Sequence, residues 1–242
     1  MRGGSRAARP HARPGGLDPN YIWMPAVVRL LCRSVLGGLV DIGPMDGVPR
    51  SGGLLVVSNH AGTIDPPLTG AYLPRRDLYF MARSEYFENP LSRFFIVGYH
   101  GFPVVRASAD RAALRQALSL IEAGHAVLVY PEGHRSPDGR LQRPHPGAGF
   151  LARSAGVPVL PVAVWGSDRV LAAGARWPRR APVHLRVGQL DGVPTKDATG
   201  RRLSNQEVAD LLMQRIAEVL PPSRRGIFDG RTDYRSVSPP AA

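Results

Sequence analysis

Residues 54–67 read Leu54-Leu55-Val56-Val57-Ser58-Asn59-His60-Ala61-Gly62-Thr63-Ile64-Asp65-Pro66-Pro67. Four apolar residues in a row have the length and composition of a strand, and Asp65 followed by Pro66 is a helix-start pair. A strand that passes through a short polar turn into a helix opens a βα unit. The pattern repeats downstream: Leu78–Met81, Phe102–Val105, Ala126–Tyr130, Val159–Val164 and Val183–Val187 are strand-length apolar runs bounded by Gly, Pro or polar residues. Helical spacing falls between them. Ser108 is a natural N-cap ahead of Leu114, Leu118 and Ile121, with Gly124 as a stop. Ser204 and Glu207 form a capping-box pair before Val208, Leu211, Leu212, Ile216 and Val219. This alternation predicts a single α/β domain with a largely parallel sheet flanked by helices. Ligand sites in such sheets lie beyond the carboxyl ends of the strands, where residues 58–65 would sit. The run from Val157 to Val164 carries prolines at 158 and 161, which points to an edge strand or an irregular start.

The chain has 242 residues, enough for one domain with a real core, and its 43% hydrophobic content is that of a globular protein. Its formal net charge of +12 points to an anionic partner: acidic lipid, a phosphorylated substrate or nucleic acid. Part of the excess lies in the termini, at Arg2, Arg6, Arg9 and Arg13 and at Arg224, Arg225, Arg231 and Arg235. Residues 1–20 and 221–242 are rich in Arg, Pro, Gly, Ala or Ser without an apolar period and read as disordered or loosely attached tails. The single cysteine, Cys32, excludes an internal disulfide framework and fits a reducing compartment.

Residues 21–43 read as an amphipathic helix, and residues 44–220 as the folded domain. Insertion of Tyr21–Val40 across a bilayer is disfavoured: its Leu, Ile and Val residues give roughly −3 to −5 kcal/mol, while Arg29 and Arg33 cost roughly +5 to +7. A helix lying in the interface, with Trp23, Val27, Leu30 and Leu31 on its apolar side, stands beside the alternative of a helix packed on its own domain.

Histidine is the one residue type in the first turn whose intrinsic chemistry suits proton transfer near neutrality, and Asp65 is placed to hold one of the ring nitrogens of His60. On a continuous helix five residues would separate the two by about 140°, so the pair requires a turn. A solvated histidine and a capping aspartate are the competing reading. Arg106 ends the run Gly101-Phe102-Pro103-Val104-Val105-Arg106 ahead of a helix start, a good anion position if it is not simply solvated. Tyr130-Pro131-Glu132-Gly133-His134-Arg135-Ser136 follows another strand. Gly133 allows close backbone approach and Glu132 and Arg135 offer an acceptor and a donor, although an ordinary turn with a local ion pair would look the same. No P-loop, dinucleotide fingerprint or Gly-x-Ser-x-Gly elbow is present. His145 and His184 read as isolated surface or strand residues, and no histidine cluster has metal-ligand spacing.

Taken in order, Asn59-His60-x4-Asp65, Gly101-Phe102-Pro103-Val104-Val105-Arg106, Pro131-Glu132-Gly133-x-Arg135-Ser136 and Val157-Pro158-Val159-Leu160-Pro161-Val162 resemble the four blocks of the glycerophospholipid acyltransferases, whose best-known members acylate lysophosphatidate. The resemblance spans about Leu54 to Gly166. It implies transfer of a fatty acyl group from a thioester on coenzyme A or acyl carrier protein to a lysophospholipid hydroxyl, giving phosphatidate, with no further cofactor, no metal and no acyl-enzyme. It implies His60 as general base, Asp65 as its orienting partner, Arg106 as a phosphate ligand, and Glu132, Gly133 and Arg135 in the acceptor site. It also implies an anionic membrane surface as partner, at the cytoplasmic face, with peripheral or monotopic attachment and no specific nucleic acid. Glycerol 3-phosphate, a lyso-aminolipid or a glycolipid are alternative acceptors, and a non-catalytic lipid or nucleic-acid binder is the alternative from another class. Two departures from the family pattern stand out: His134 replaces the usual threonine of the third block, and Pro144-His145-Pro146-Gly147 replaces a basic residue before a glycine pair.

Overall fold

The computed structural model describes residues 19–75, 77–104, 111–171 and 177–230. Its centre is a seven-stranded sheet in the order β1-β7-β6-β2-β5-β3-β4. The strands are β1 (Val40–Ile42), β2 (Leu54–Ser58), β3 (Leu78–Arg83), β4 (Gly101–Val104), β5 (Ala126–Val129), β6 (Val159–Trp165) and β7 (Val183–Val187). Every pairing is parallel except β6 with β7. Every residue of β2 is buried, as a central parallel strand requires. Its side chains alternate between two cores: Leu55 and Val57 face one layer, and Leu54 and Val56 face the other.

The first layer is built by α4 (Arg111–Glu122), α5 (Pro146–Ala155) and α7 (Asn205–Val219). The second contains α1 (Pro19–Leu36) and α2 (Asp65–Tyr72), through Met24, Leu36 and Leu68. Two further α-helices among the described residues are α3 (Pro90–Gly98) and α6 (Ser167–Val170). The α7 start carries both halves of its capping box: Ser204 Oγ accepts from Glu207 N, and the Glu207 carboxylate accepts from Ser204 N at 2.7 Å. Glycine ends the α4 segment as anticipated, with Gly124 at φ +89° and its N–H donated to Ile121 O. Ser108 lies outside the described residues.

Four expectations need correction. The N-terminal helix does not reach residue 43. It ends at Leu36 before Gly37 and Gly38, both at positive φ, and Val40–Ile42 adds a strand to the edge of the sheet by pairing with β7. The proline-bearing run is no edge strand, because β6 lies between β7 and β2. Pro161 is tolerated there because its carbonyl accepts from Gly188 N while its missing N–H points to the same side, where the partner strand is irregular. Val159 bridges Asp191 and Val162 pairs with Val187, so the partner carries one extra residue at this point. The irregular start is therefore a bulge. The segment from 221 is also no loose tail up to residue 230: Phe228 is buried, Leu141 N donates to Arg224 O, and Arg224 pairs with Asp168. Finally, His184 is not isolated, since its Nδ1 meets Asp41 Oδ2 at 3.0 Å and its ring stacks on Trp165.

Helix α1 packs on its own domain and keeps an apolar side exposed. Met24 and Leu36 enter the core, and Arg29 Nη1 donates to Ala71 O at the end of α2. On the outside, Trp23, Leu30, Leu31 and Val35 remain exposed, as do Phe94 and Phe95 of α3, and the Trp23 and Phe94 ring centroids lie 6.1 Å apart. Among the described residues no helix is long and apolar enough to cross a membrane.

Candidate active site

The backbone after β2 leaves the sheet with N–H groups that no ladder can take, so side-chain oxygens must accept them. Two buried carboxylates do so. Asp65 Oδ2 accepts from Ala61 N and Gly62 N, both at 2.7 Å, and Glu132 Oε1 accepts from His60 N at 3.0 Å. Asp65 is the first residue of α2 and Ile64 holds the cap position without a side-chain bond, so the aspartate serves the turn and not the helix end. The competing reading of Asp65 as a cap is thereby set aside. The turn also needs a residue without a side chain at Gly62, where a Cβ would lie 2.6 Å from the carbonyl of Ser167.

The same Asp65 oxygen lies 3.0 Å from His60 Nδ1. The aspartate is fully buried and the histidine side chain 18% exposed, so one end of the pair is anchored and the other meets solvent. An ionised carboxylate only accepts hydrogen bonds, which assigns the ring proton to Nδ1 and the lone pair to Nε2. Nε2 is the nitrogen left for a reacting group.

Three strands converge on this histidine. Its carbonyl accepts from Ser136 N at 2.7 Å, so residues from the turn after β5 grip its backbone at both N–H and C=O. The preceding residue, Asn59, is buried, and its amide bonds Val164 of β6 in both directions, at 2.7 and 2.8 Å. Asn59 and Ser136 both lie within the blocks quoted above, but the sequence gives neither a role; an amide next to a candidate base at a strand end is the signal that points to the first.

In the third block, Glu132 is fully buried, and its second oxygen accepts from Gln142 N at 3.1 Å. Burial pushes its pKa up to about 7, opposed by the two amide donors. Both oxygens of Glu132 are committed to backbone N–H groups, so the side chain holds the two turns together from within the fold. Gly133 sits at φ +69° on the surface, and a Cβ there would lie 2.7 Å from the His145 ring. His145 N in turn donates to Pro131 O at 2.8 Å, so this histidine belongs to the wall of the third block and is not isolated. Arg135 is exposed and reaches back across the site, its Nη1 donating to Thr63 Oγ1 at 2.7 Å. Arg106 lies outside the described residues. The arrangement is a histidine whose Nδ1 meets a buried carboxylate, with an exposed guanidinium at its rim.

The family model for acyltransferases matches residues 40–165. The chain belongs to the acyltransferase family. This acyltransferase is 26% identical over 189 residues to the 1-acyl-sn-glycerol-3-phosphate acyltransferase of Bacillus subtilis, covering 76% of this chain and 89% of that protein. It is 27% identical over 209 residues to a 1-acyl-sn-glycerol-3-phosphate acyltransferase of Chlamydomonas reinhardtii, covering 86% of this chain and 59% of the relative. The crystal structure of the 1-acyl-sn-glycerophosphate acyltransferase of Thermotoga maritima has the same fold, with a TM-score of 0.67 at 23% identity over 82% of this chain and 78% of that one. The matched segment of the acyltransferase runs from β1 to the end of β6 and so contains the whole convergence around His60.

Proposed function

We propose that this acyltransferase moves a fatty acyl group from a coenzyme A or acyl carrier protein thioester to the free hydroxyl of lysophosphatidate, producing phosphatidate. The observation that carries the reading is the 3.0 Å contact of His60 Nδ1 with buried Asp65, which leaves Nε2 as a base at the carboxyl end of the sheet. A thioester is already activated, so the protein's task is to place the alcohol and take its proton as the C–O bond forms. His60 Nε2 accepts that proton, Asp65 holds the resulting imidazolium, and the proton passes to the sulfur when the C–S bond breaks, releasing the free thiol. No acyl-enzyme, metal or further cofactor enters. Arg135 and Arg106 hold the acceptor phosphate, with the Gly133 turn as the adjoining wall; a guanidinium fork suits that group.

The acyl chains of both substrates are delivered at a membrane. The exposed Trp23, Leu30, Leu31 and Phe94 surface supports peripheral binding there, and Arg29 and Arg33 on the same helix suit anionic headgroups at the cytoplasmic face. The test is product analysis by mass spectrometry with oleoyl-coenzyme A and separate acceptors: oleoyl-lysophosphatidate, glycerol 3-phosphate, a lyso-aminolipid and a glycolipid. Phosphatidate formed at the highest kcat/KM supports the reading, while a preference for another acceptor replaces it.

A further inference from the structure

Tyr130 directly follows β5 and opens the Pro131-Glu132-Gly133 turn, and the mechanism above gives it no task. Its ring lies almost parallel to the His60 imidazole, with centroids 4.1 Å apart and planes inclined by 20°. The hydroxyl oxygen is buried, and the side chain packs against the core layer that holds Val56, Leu68 and Leu128. Burial and the neighbouring Asp65 carboxylate hold the phenol well above its ordinary pKa. The group therefore stays a neutral aromatic face and exchanges no proton in the working range. Its carbonyl accepts from Gly133 N at 3.0 Å, which closes the turn beneath the ring.

A single hydrogen bond at Nδ1 leaves an imidazole free to tilt about that contact, and the grip of Glu132 and Ser136 on the His60 backbone stops at Cα. A flat wall against one face removes the tilt. The same face is electron-rich and attracts the positive charge that the imidazole acquires on taking a proton. We propose that Tyr130 is a positioning residue for the reaction: its ring fixes the plane of His60 so that Nδ1 meets Asp65 and Nε2 meets the acceptor hydroxyl. This rests on the reading of His60 as the base.

The test compares Tyr130→Phe, Tyr130→Leu and Tyr130→Met in the full chain, by NMR of the histidine ring protons and by steady-state kinetics. His60 is assigned through the signal lost in His60→Gln. Stacking places the His60 ring protons in the shielding cone of Tyr130, so they resonate upfield in the parent and in Tyr130→Phe and move downfield in the Leu and Met variants. Kinetically, Tyr130→Phe keeps kcat within about twofold, while the Leu and Met variants lose about tenfold in kcat with acceptor KM little changed. Met provides the comparison if Leu does not fold. An unmoved His60 signal in the Leu or Met variant overturns the stack. A Phe variant as slow as Leu assigns the effect to the hydroxyl and overturns the ring's role, as does parental kcat in a variant whose upfield shift is gone. Parental activity in His60→Gln overturns the base assignment instead, and the upfield signal of the parent distinguishes that failure from loss of the stack.

Discussion

The backbone N–H of His60 donates to Glu132 Oε1 at 3.0 Å, although 72 residues of chain separate them. Through this bond the turn after β5 sets the height of the histidine above the end of β2. The carboxylate that makes it is fully buried and also receives Gln142 N, so it links three segments with one side chain.

Replacing Glu132 by Gln puts an amide NH2 where one of those backbone N–H groups needs an acceptor. The loop shifts, and kcat is expected to fall on the order of tenfold to a hundredfold, since small displacements of a reacting group are costly. Stability changes with pH in a defined sense. The carboxyl titrates at an ordinary 4.5 when unfolded and near 7 when folded, so between these values the folded chain binds more proton and stability declines as pH rises. Melting temperatures taken from pH 4.5 to 7.5 should fall less steeply in Glu132→Gln than in the parent. Equal slopes would remove Glu132 as the source.

Asn59→Leu deletes both bonds to Val164 and strands a buried N–H and C=O. The expected cost is about 2–4 kcal/mol, read as a lower denaturant midpoint at unchanged m-value. A loss under half a kcal/mol would show that β2 and β6 are held together without this clamp.

Asp65→Asn removes the charge that fixes the Nδ1–H tautomer and supports the imidazolium. A fall in kcat of about 10²–10⁴-fold is expected, with acceptor KM nearly unchanged. A variant that chiefly raises KM would place Asp65 in acceptor binding.

Arg135→Ala is expected to raise KM about tenfold or more for a phosphate-bearing acceptor, because an ionic hydrogen bond is lost. The same variant should leave KM for a phosphate-free acceptor alcohol unchanged. Equal effects on both acceptors would mean that Arg135 serves the loop, through Thr63, and not the phosphate.

Trp23→Ser combined with Phe94→Ser removes two exposed aromatic rings that lie side by side. Partitioning onto phosphatidylglycerol vesicles, followed by flotation, should drop at least tenfold if each ring inserts. Full retention would put the membrane contact elsewhere on the chain.

Much of this architecture is legible in the sequence. The apolar runs that became β2 to β7 each carry their own length and boundary signals, and His60-x4-Asp65 declares itself as a turn pair. Strand β1 does not, because Val40-Asp41-Ile42 is too short and too polar to be read alone and exists by pairing with β7. The burial of Glu132 is not legible for a related reason: nothing local in a Pro-Glu-Gly turn hides a carboxylate, and only the tertiary fold buries it against His60. Residues 221–230 have the composition of a tail, yet Gly226 packs against the Leu141 backbone and Phe228 is buried. The Tyr130 stack leaves no trace in spacing at all, since it joins two loops distant in sequence.

The most direct test of the central claim is thiol release from oleoyl-coenzyme A in detergent micelles, with and without oleoyl-lysophosphatidate, for the parent and His60→Ala. The account predicts acceptor-dependent release by the parent and a loss of about 10²–10⁴-fold in the variant. Acceptor-dependent release that survives in His60→Ala would contradict it.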